Sequence, residues 1–244
     1  DLLQELYRLG QDEIAWSLWQ TETANQETLS VEEQFTDGVL KLTQGRYLKG
    51  IAQISSLQNR DKPEDYARWQ SLRKTSMYWH SLFPFPYNES ILSWSSQRQL
   101  NPLLTISLIR QESRFEKDIG SVAGAKGLMQ VMPSTGEWIA WKMNLPSYSL
   151  TDPEDNINLG TWYLDYTHNQ YNNHSMLALA SYNAGPGNVA KWVRRYGLED
   201  ADEFVEKIPF PETKGYVEAV FGNYWNYLRL YNPQIQLMMK DYTS

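Results

Sequence analysis

The sequence predicts a mostly α-helical protein in two parts, and three observations lead to this prediction. Apolar residues recur at helical spacing through the first third of the chain. Two alternating prolines, Pro84 and Pro86, then interrupt the pattern. Beyond them, helix start and stop signals alternate with glycine-rich turns, and no window shows convincing strand alternation. The predicted class is all-α, divided into residues 1–83 and 84–244.

The first part, residues 1–83, shows one weak internal repeat. Gly10 is followed five residues later by Ala15, and Gly45 is followed five residues later by Gly50. The two leading glycines lie about 35 residues apart, close to the period of tetratricopeptide-type helical hairpins. Plain antiparallel packing of helices explains the pattern equally well, so both interpretations stay open.

The second part carries clear helix boundaries. Asn101 can cap a helix that has Pro102 at its first position, and Ser134 with Glu137 fits a capping box. A short hairpin is possible in the loop of residues 119–132. We expect one helix to start at Pro102. We expect three further helices, which run from about Pro153 to Tyr171, from Ser175 to about Asn183, and from about Glu212 to Tyr231.

Composition narrows the possible functions. The chain has 244 residues, 41% of them hydrophobic, so it can bury a sizeable core. A net charge of −7 without a basic stripe argues against a nucleic-acid partner. There is no Cys, and three histidines (His80, His168 and His174) lack metal-ligand spacing, so no metal site is expected. Ten Trp and 16 Tyr fit either core packing or sugar-stacking surfaces.

The sequence shows no targeting or membrane-spanning segment. No apolar run has the length needed to cross a bilayer. The chain begins at Asp1 without Met or a charged-then-apolar leader. We therefore expect a fragment or a processed form, whose targeting segment is not part of this sequence.

One carboxylate lies on an apolar helix stripe. In the helix predicted to start at Pro102, Leu104, Leu108 and Glu112 follow one another at intervals of four residues, so they share one face. Phe115 lies one turn beyond Glu112. Burial and the negative end of the helix dipole both favour the protonated form of this carboxyl. That form is the one a general acid needs. Alternatively, Glu112 points outward or pairs with a neighbouring arginine, Arg110 or Arg114.

Four motifs in order carry a family resemblance. They are the Glu-Ser pair at 112–113, the segment Gly-Ala-Lys-Gly-Leu-Met-Gln-Val-Met-Pro at 124–133, Ala-Ser-Tyr-Asn-Ala-Gly-Pro-Gly at 180–187, and Ile-Pro-Phe-Pro-Glu-Thr at 208–213 followed by Tyr216. From about Tyr87 to Tyr231, this order and spacing resembles the catalytic domain of the soluble lytic murein transglycosylases. One departure is Ser181, where the family commonly has Ala.

The resemblance implies a lysozyme-like fold and a set of site residues. Glu112 would be the single catalytic acid and base, supported by Ser113, Gly127 and Tyr216. Tyr182 would donate its hydroxyl to the catalytic carboxyl. The residues implied in substrate binding are Ser121, Gln130, Met132, Tyr182, Asn183 and Glu212.

The resemblance also implies the reaction. Glu112 would cleave the β-1,4 bond between N-acetylmuramic acid and N-acetylglucosamine in peptidoglycan glycan strands and leave a 1,6-anhydromuramyl end. No cofactor is expected, no protein partner follows from the sequence, and the expected location is the periplasm or cell envelope. Three alternatives stay open: a hydrolytic muramidase, an inactive peptidoglycan-binding scaffold and, for the first part, a tetratricopeptide adaptor.

Overall fold

A computed structural model describes residues 2–243 of the chain, and the side chains of residues 2–235. The chain divides into two compact units, Asp1–Pro84 and Phe85–Ser244. The described part of each unit is helical, and its only β pairing consists of isolated bridges in one loop of the second unit.

The first unit is a series of short helices joined by tight turns. Their bounds are α1 (Leu2–Arg8), α2 (Asp12–Thr23), α3 (Val31–Thr43), α4 (Tyr47–Ser55), a 3₁₀ turn (Ser56–Asn59), α5 (Pro63–Leu72) and α6 (Ser76–Leu82). Helix α1 packs on α2, and α3 packs on α4. Ser30 and Glu33 form a reciprocal capping box at the start of α3, which satisfies two backbone donors.

The weak sequence repeat corresponds to two matching turns. Gly10 ends α1 with a φ of +66°, and Gly45 ends α3 with a φ of +69°. After each glycine, the next backbone N–H donates to the carbonyl five residues earlier at 2.9 Å, which is the Schellman pattern. Ala15 and Gly50 are buried in the helices that follow. At Gly50 a Cβ would lie 2.8 Å from the carbonyl oxygen of Gly38, so α4 can approach α3 closely.

The second unit contains α7 (Asn88–Gln97), α8 (Pro102–Ser113), α9 (Pro133–Met143), α10 (Pro153–Gln170), α11 (Ser175–Ala184), α12 (Pro186–Tyr196), α13 (Ala201–Glu206) and α14 (Pro211–Thr243). Helix α8 packs between α7 and α14, and α11 packs against α10, α12 and α14. All eight residues from Pro102 to Ile109 are buried. Helix α8 is therefore covered on every side over its first two turns, and not only along the predicted apolar stripe.

Most predicted helix boundaries are confirmed. The side chain of Asn101 accepts from the backbone of α8, and Asp152 does the same for α10. The capping box at Ser134 is wrong, because α9 already begins at Pro133 and places Ser134 inside its first turn. The last helix continues past the predicted end at Tyr231 and through Pro233, whose missing N–H costs one backbone hydrogen bond.

A glycine-rich loop joins α8 to α9. Two isolated antiparallel bridges, Gly120 with Lys126 and Lys126 with Val131, fold it into a compact turn. This compact turn is the short hairpin that the sequence indicated as possible in residues 119–132. Across the described residues, none of the helices combines the length and apolarity that crossing a membrane requires.

Candidate active site

The end of α8 places Glu112 where the chain reverses direction. Ser113 is the last helical residue, and Arg114 and Phe115 both adopt left-handed backbone angles, with φ of 46° and 67°. The Ser113 hydroxyl donates to the carbonyl of Ile109 and accepts from the backbone N–H of Phe115, each at 3.1 Å. Ser113 thus holds the strained turn that orients its neighbour Glu112.

The Glu112 carboxyl lies in a protected environment. Tyr216 donates its hydroxyl to Oε1 of Glu112 at 2.7 Å. Burial raises the pKa of Glu112 to about 7; the hydrogen bond from Tyr216 opposes this rise, and the negative charge of Glu212 adds to it. A carboxyl with this pKa exchanges readily between its acid and base forms near neutral pH.

The structure corrects the partner of this carboxyl. The sequence resemblance assigned the hydrogen bond to Tyr182, but the Tyr182 hydroxyl donates to the backbone carbonyl of Met129 at 2.8 Å. Tyr216 takes its place because α14, which carries it, packs along α8. Burial and the nearby charge of Glu112 raise the pKa of both tyrosines well above the usual value, so both hydroxyls stay protonated.

The alternative of an arginine partner for Glu112 is also wrong. Within the described residues, neither Arg110 nor Arg114 forms an ion pair with Glu112. Arg110 donates through Nη1 to Oδ1 of Asn223 on α14 at 2.9 Å. The Asn223 amide also donates to the carbonyl of Ser107 at 3.1 Å. This side-chain bridge fixes α14 against α8 and therefore helps to position Tyr216 beside Glu112.

The loop residues predicted to bind sugar shape the loop itself. The Ser121 hydroxyl accepts from the backbone N–H of Ala125 at 3.0 Å. The amide of Gln130 donates to the carbonyls of Ile119 at 3.2 Å and Gly127 at 2.9 Å. Gln130 has a left-handed φ of 49°, which its side-chain bonds stabilise. Ser121 and Gln130 therefore close the loop from within.

Gly127 is required by the close approach of three segments. Its φ is +80°, and a Cβ at this position would lie 2.2 Å from the carbonyl oxygen of Leu150 and 2.4 Å from the amide nitrogen of Asn156. No other residue fits without displacement of the loop. Met132, at the end of the loop, is 38% exposed and available for contact with a ligand.

Two further predicted residues line a cavity at the start of α14. Asn183 accepts through Oδ1 from the Thr213 hydroxyl at 2.7 Å, which links α11 to α14. Glu212 is exposed in the first turn of α14. Both belong to a cavity of about 430 Å³ whose wall also includes the half-exposed ring of Phe210. Glu212 is close enough to Glu112 to influence its pKa.

The acidic residues at the start of α10 are engaged elsewhere. Glu154 accepts from the indole N–H of Trp94 at 2.6 Å and from the hydroxyl of Ser90, which ties α10 to α7. Asp152 caps α10, and Asp155 accepts from a backbone N–H. These three carboxylates therefore have structural roles at the start of α10 and are not paired with the carboxyl at the end of α8.

The family comparison agrees with this geometry. Residues 89–205 match the family model described as the transglycosylase SLT domain. This part of the chain is similar to the transglycosylase SLT domain. The match begins in α7 and ends in α13, so it includes Glu112, the loop and Tyr182, while Tyr216 follows it in sequence.

Curated relatives of the chain are named soluble lytic murein transglycosylases. The chain is 39% identical to a soluble lytic murein transglycosylase of Salmonella typhimurium over 164 residues, which covers 65% of this chain and 25% of the relative. It is 41% identical to that of Escherichia coli K12 over 152 residues, which covers 59% of this chain and 24% of the relative. The chain thus spans about a quarter of these relatives' length.

Solved structures extend the similarity to both units. The 70 kDa soluble lytic transglycosylase of Escherichia coli matches with a TM-score of 0.70 and 30% identity, covering 93% of this chain and 34% of that one. An inactive mutant of lytic transglycosylase Slt from Pseudomonas aeruginosa matches with a TM-score of 0.70 and 29% identity, over 94% and 35% of the two chains. The second unit has the all-α, lysozyme-like fold that the resemblance implies.

The second unit also contains residues that the sequence motifs did not reveal. Asn156 is fully buried in α10 and bonds to the loop, and it was not singled out from the sequence. The feature that could have revealed Asn156 is its position on the face of α10 that is buried. Within the described residues, no group of three or more His, Cys, Asp or Glu side chains could hold a metal ion.

Proposed function

We propose that this chain cleaves the β-1,4 bond between N-acetylmuramic acid and N-acetylglucosamine in peptidoglycan and leaves a 1,6-anhydromuramyl end. The observation that carries the proposal is the single carboxyl of Glu112, whose pKa of about 7 suits both proton donation and proton removal. The SLT domain and its relatives, which are named murein transglycosylases, support the choice of substrate.

The first step uses Glu112 as the acid. The bond between C1 of the muramyl residue and the bridging oxygen breaks, and that oxygen takes the proton of Glu112. The substrate's own N-acetyl group stabilises the positive charge that develops at C1. Tyr216 occupies Oε1 of Glu112, which leaves Oε2 for the proton transfer.

The second step uses Glu112 as the base. The carboxylate removes the proton from the C6 hydroxyl of the muramyl residue, and the C6 oxygen forms the new bond to C1. Glu112 is protonated again, and no water is consumed. One group can serve both steps because the hydrogen bond from Tyr216 stabilises the carboxylate while burial stabilises the acid.

The neighbouring residues would bind the glycan. We assign sugar contacts to the loop residues Ser121, Gln130 and Met132 and to Asn183 and Glu212 at the cavity beside α14. Tyr182 would act by holding the loop through the Met129 carbonyl. One relative of known structure was solved in complex with bulgecin A, which fits a ligand cleft in this fold.

The two parts of the chain would have different roles. We assign residues 84–244 to catalysis and residues 1–83 to a helical, superhelix-like segment that precedes the catalytic domain. The substrate would place the protein in the bacterial cell envelope, in the periplasm. Deletion of residues 1–83 tests the division, since the remaining domain should retain cleavage activity.

The deciding experiment is mass spectrometry of the muropeptides released from purified sacculi. We expect products lighter by one water than the corresponding reducing-end products. Glu112→Gln should lower the rate by about 10²- to 10⁴-fold, the usual contribution of a general acid and base. Glu137→Gln, the same substitution at an exposed position of α9, is the matched control and should retain full activity.

Each other outcome identifies an alternative. Reducing ends would show that water attacks C1, which is the reaction of a muramidase. Binding to sacculi without release of product, by folded protein, would indicate a non-catalytic scaffold. Full activity of Glu112→Gln would show that the assignment of the acid is wrong.

A further inference from the structure

One face of α10 is shaped to receive the glycine-rich loop of residues 119–131. Asn156, Gly160 and Tyr163 are spaced four and three residues apart, so they lie on the same side of the helix. Each of them contacts Met129 or a side chain bonded to Met129. We refer to these three residues as the loop socket.

Asn156 connects α10 to three points of the backbone. Its Oδ1 accepts from the N–H of Met129 at 2.7 Å. Its amide nitrogen donates to the carbonyls of Lys126 at 2.9 Å and Leu150 at 2.8 Å. The side chain is completely buried and both of its N–H donors are used. Loss of this amide would remove the partner of the Met129 N–H and of the Leu150 carbonyl, whereas the Lys126 carbonyl would still accept from the N–H of Val131.

Gly160 provides the space for the Met129 side chain. A Cβ at Gly160 would lie 2.6 Å from Cβ and 2.4 Å from Sδ of Met129, closer than van der Waals contact allows. The absence of a side chain at this position therefore sets how near the loop comes to α10. A glycine in a helix interior is less favourable than an alanine, so its presence here requires such a reason.

Tyr163 completes the socket through Tyr182. The two rings contact each other with centroids 5.3 Å apart. Tyr182 in turn donates to the carbonyl of Met129 at 2.8 Å. The Met129 residue is thus held at its N–H by Asn156 and at its carbonyl by Tyr182. The next residue, Gln130, begins the part of the loop to which we assign sugar contacts.

We propose that the loop socket of Asn156, Gly160 and Tyr163 positions the glycine-rich loop for binding of the glycan strand, with Asn156 as the main positioning residue. This inference rests on the proposed function and extends the binding site to one face of α10. Asn156 acts through Met129 and does not touch the substrate. The hydrogen bond of the Glu112 carboxyl goes to Tyr216 and not to a residue of the socket, so loss of the socket should weaken substrate binding more than proton transfer.

The test compares two socket variants with a matched control. Asn156→Ala removes three hydrogen bonds, whereas Gly160→Ala removes none and only pushes Met129 away. Asn158→Ala removes another buried asparagine of α10, whose Oδ1 accepts from Arg98 at 2.6 Å on a different face. Kinetics on soluble, peptide-free glycan strands and hydrogen exchange of residues 126–131 are measured for each variant.

Both socket variants should raise KM about 10-fold or more relative to Asn158→Ala and change kcat by less than about threefold. A misplacement of about 1 Å in a binding group suffices for losses of this size. The alkaline limb of the kcat profile should stay where it is in the wild type. Exchange at the Met129 amide should accelerate in Asn156→Ala, because its acceptor is gone.

Two results would overturn the inference: KM values of both socket variants within twofold of the Asn158→Ala value, or unchanged exchange over residues 126–131 in Asn156→Ala. Failure of the proposed function has a different signature, since the wild type would then release no anhydro-ended product. In that case the exchange measurement still decides whether the socket holds the loop.

Discussion

The hydrogen bond between Tyr216 and Glu112 offers a sharp test of how the carboxyl is tuned. Tyr216→Phe removes only the hydroxyl that donates to Oε1 at 2.7 Å and leaves the buried ring in place. This bond favours the carboxylate form and therefore lowers the pKa of Glu112 against the effect of burial. Its removal should raise the pKa further above the wild-type value of about 7.

The magnitude follows from the strength of such a bond. A hydrogen bond to a charged group contributes about 1.5–3 kcal/mol, and about 1.4 kcal/mol corresponds to one pKa unit. We therefore expect the pKa of Glu112 to rise by at least about one unit in Tyr216→Phe. Because the first step needs the protonated acid, the alkaline limb of the kcat/KM profile should move upward by the same amount.

The assay is the pH dependence of kcat/KM on soluble glycan strands between pH 4 and pH 10. Tyr224→Phe is the matched control: it removes a tyrosine hydroxyl from the same helix, where that hydroxyl accepts from Asn101 at 3.1 Å. The control should keep the wild-type profile. An alkaline limb of Tyr216→Phe that stays in place or moves to lower pH would refute the role assigned to this bond.

Three further predictions concern stability, each measured by urea unfolding. Ser113→Ala should cost about 1–3 kcal/mol, since the buried N–H of Phe115 loses its acceptor. Gly127→Ala should cost more than Gly124→Ala, because both glycines have positive φ but only Gly127 would place its Cβ against other atoms; equal costs would contradict the steric argument. Glu112→Gln should stabilise the protein at pH 8 by at most about 3 kcal/mol and change little at pH 4. Folding raises the pKa of this carboxyl from 4.5 to about 7, so its ionisation lowers stability as pH rises through that interval; no gain at pH 8 would contradict a buried carboxyl.

The helix that carries Glu112 was predictable because its signals are local. Asn101 and Pro102 determine where α8 begins, and the four-residue spacing from Leu104 places Glu112 on its apolar line. Capping and periodicity act within a few residues and can be read directly from the chain. The same local signals failed at Ser134, where a proline one residue earlier provided a competing helix start.

The amino-acid sequence by itself determined the all-α class, the carboxylate of α8 and the motifs that point to the family, and it predicts a division at Pro84 and Pro86. The tertiary structure alone decided which tyrosine bonds Glu112 and which face of α10 holds the loop. Tyr216 lies 104 residues from Glu112 along the chain, and no periodicity connects them. They meet because α14 packs along α8, and such a contact depends on how whole helices fit together and not on the residues next to either partner.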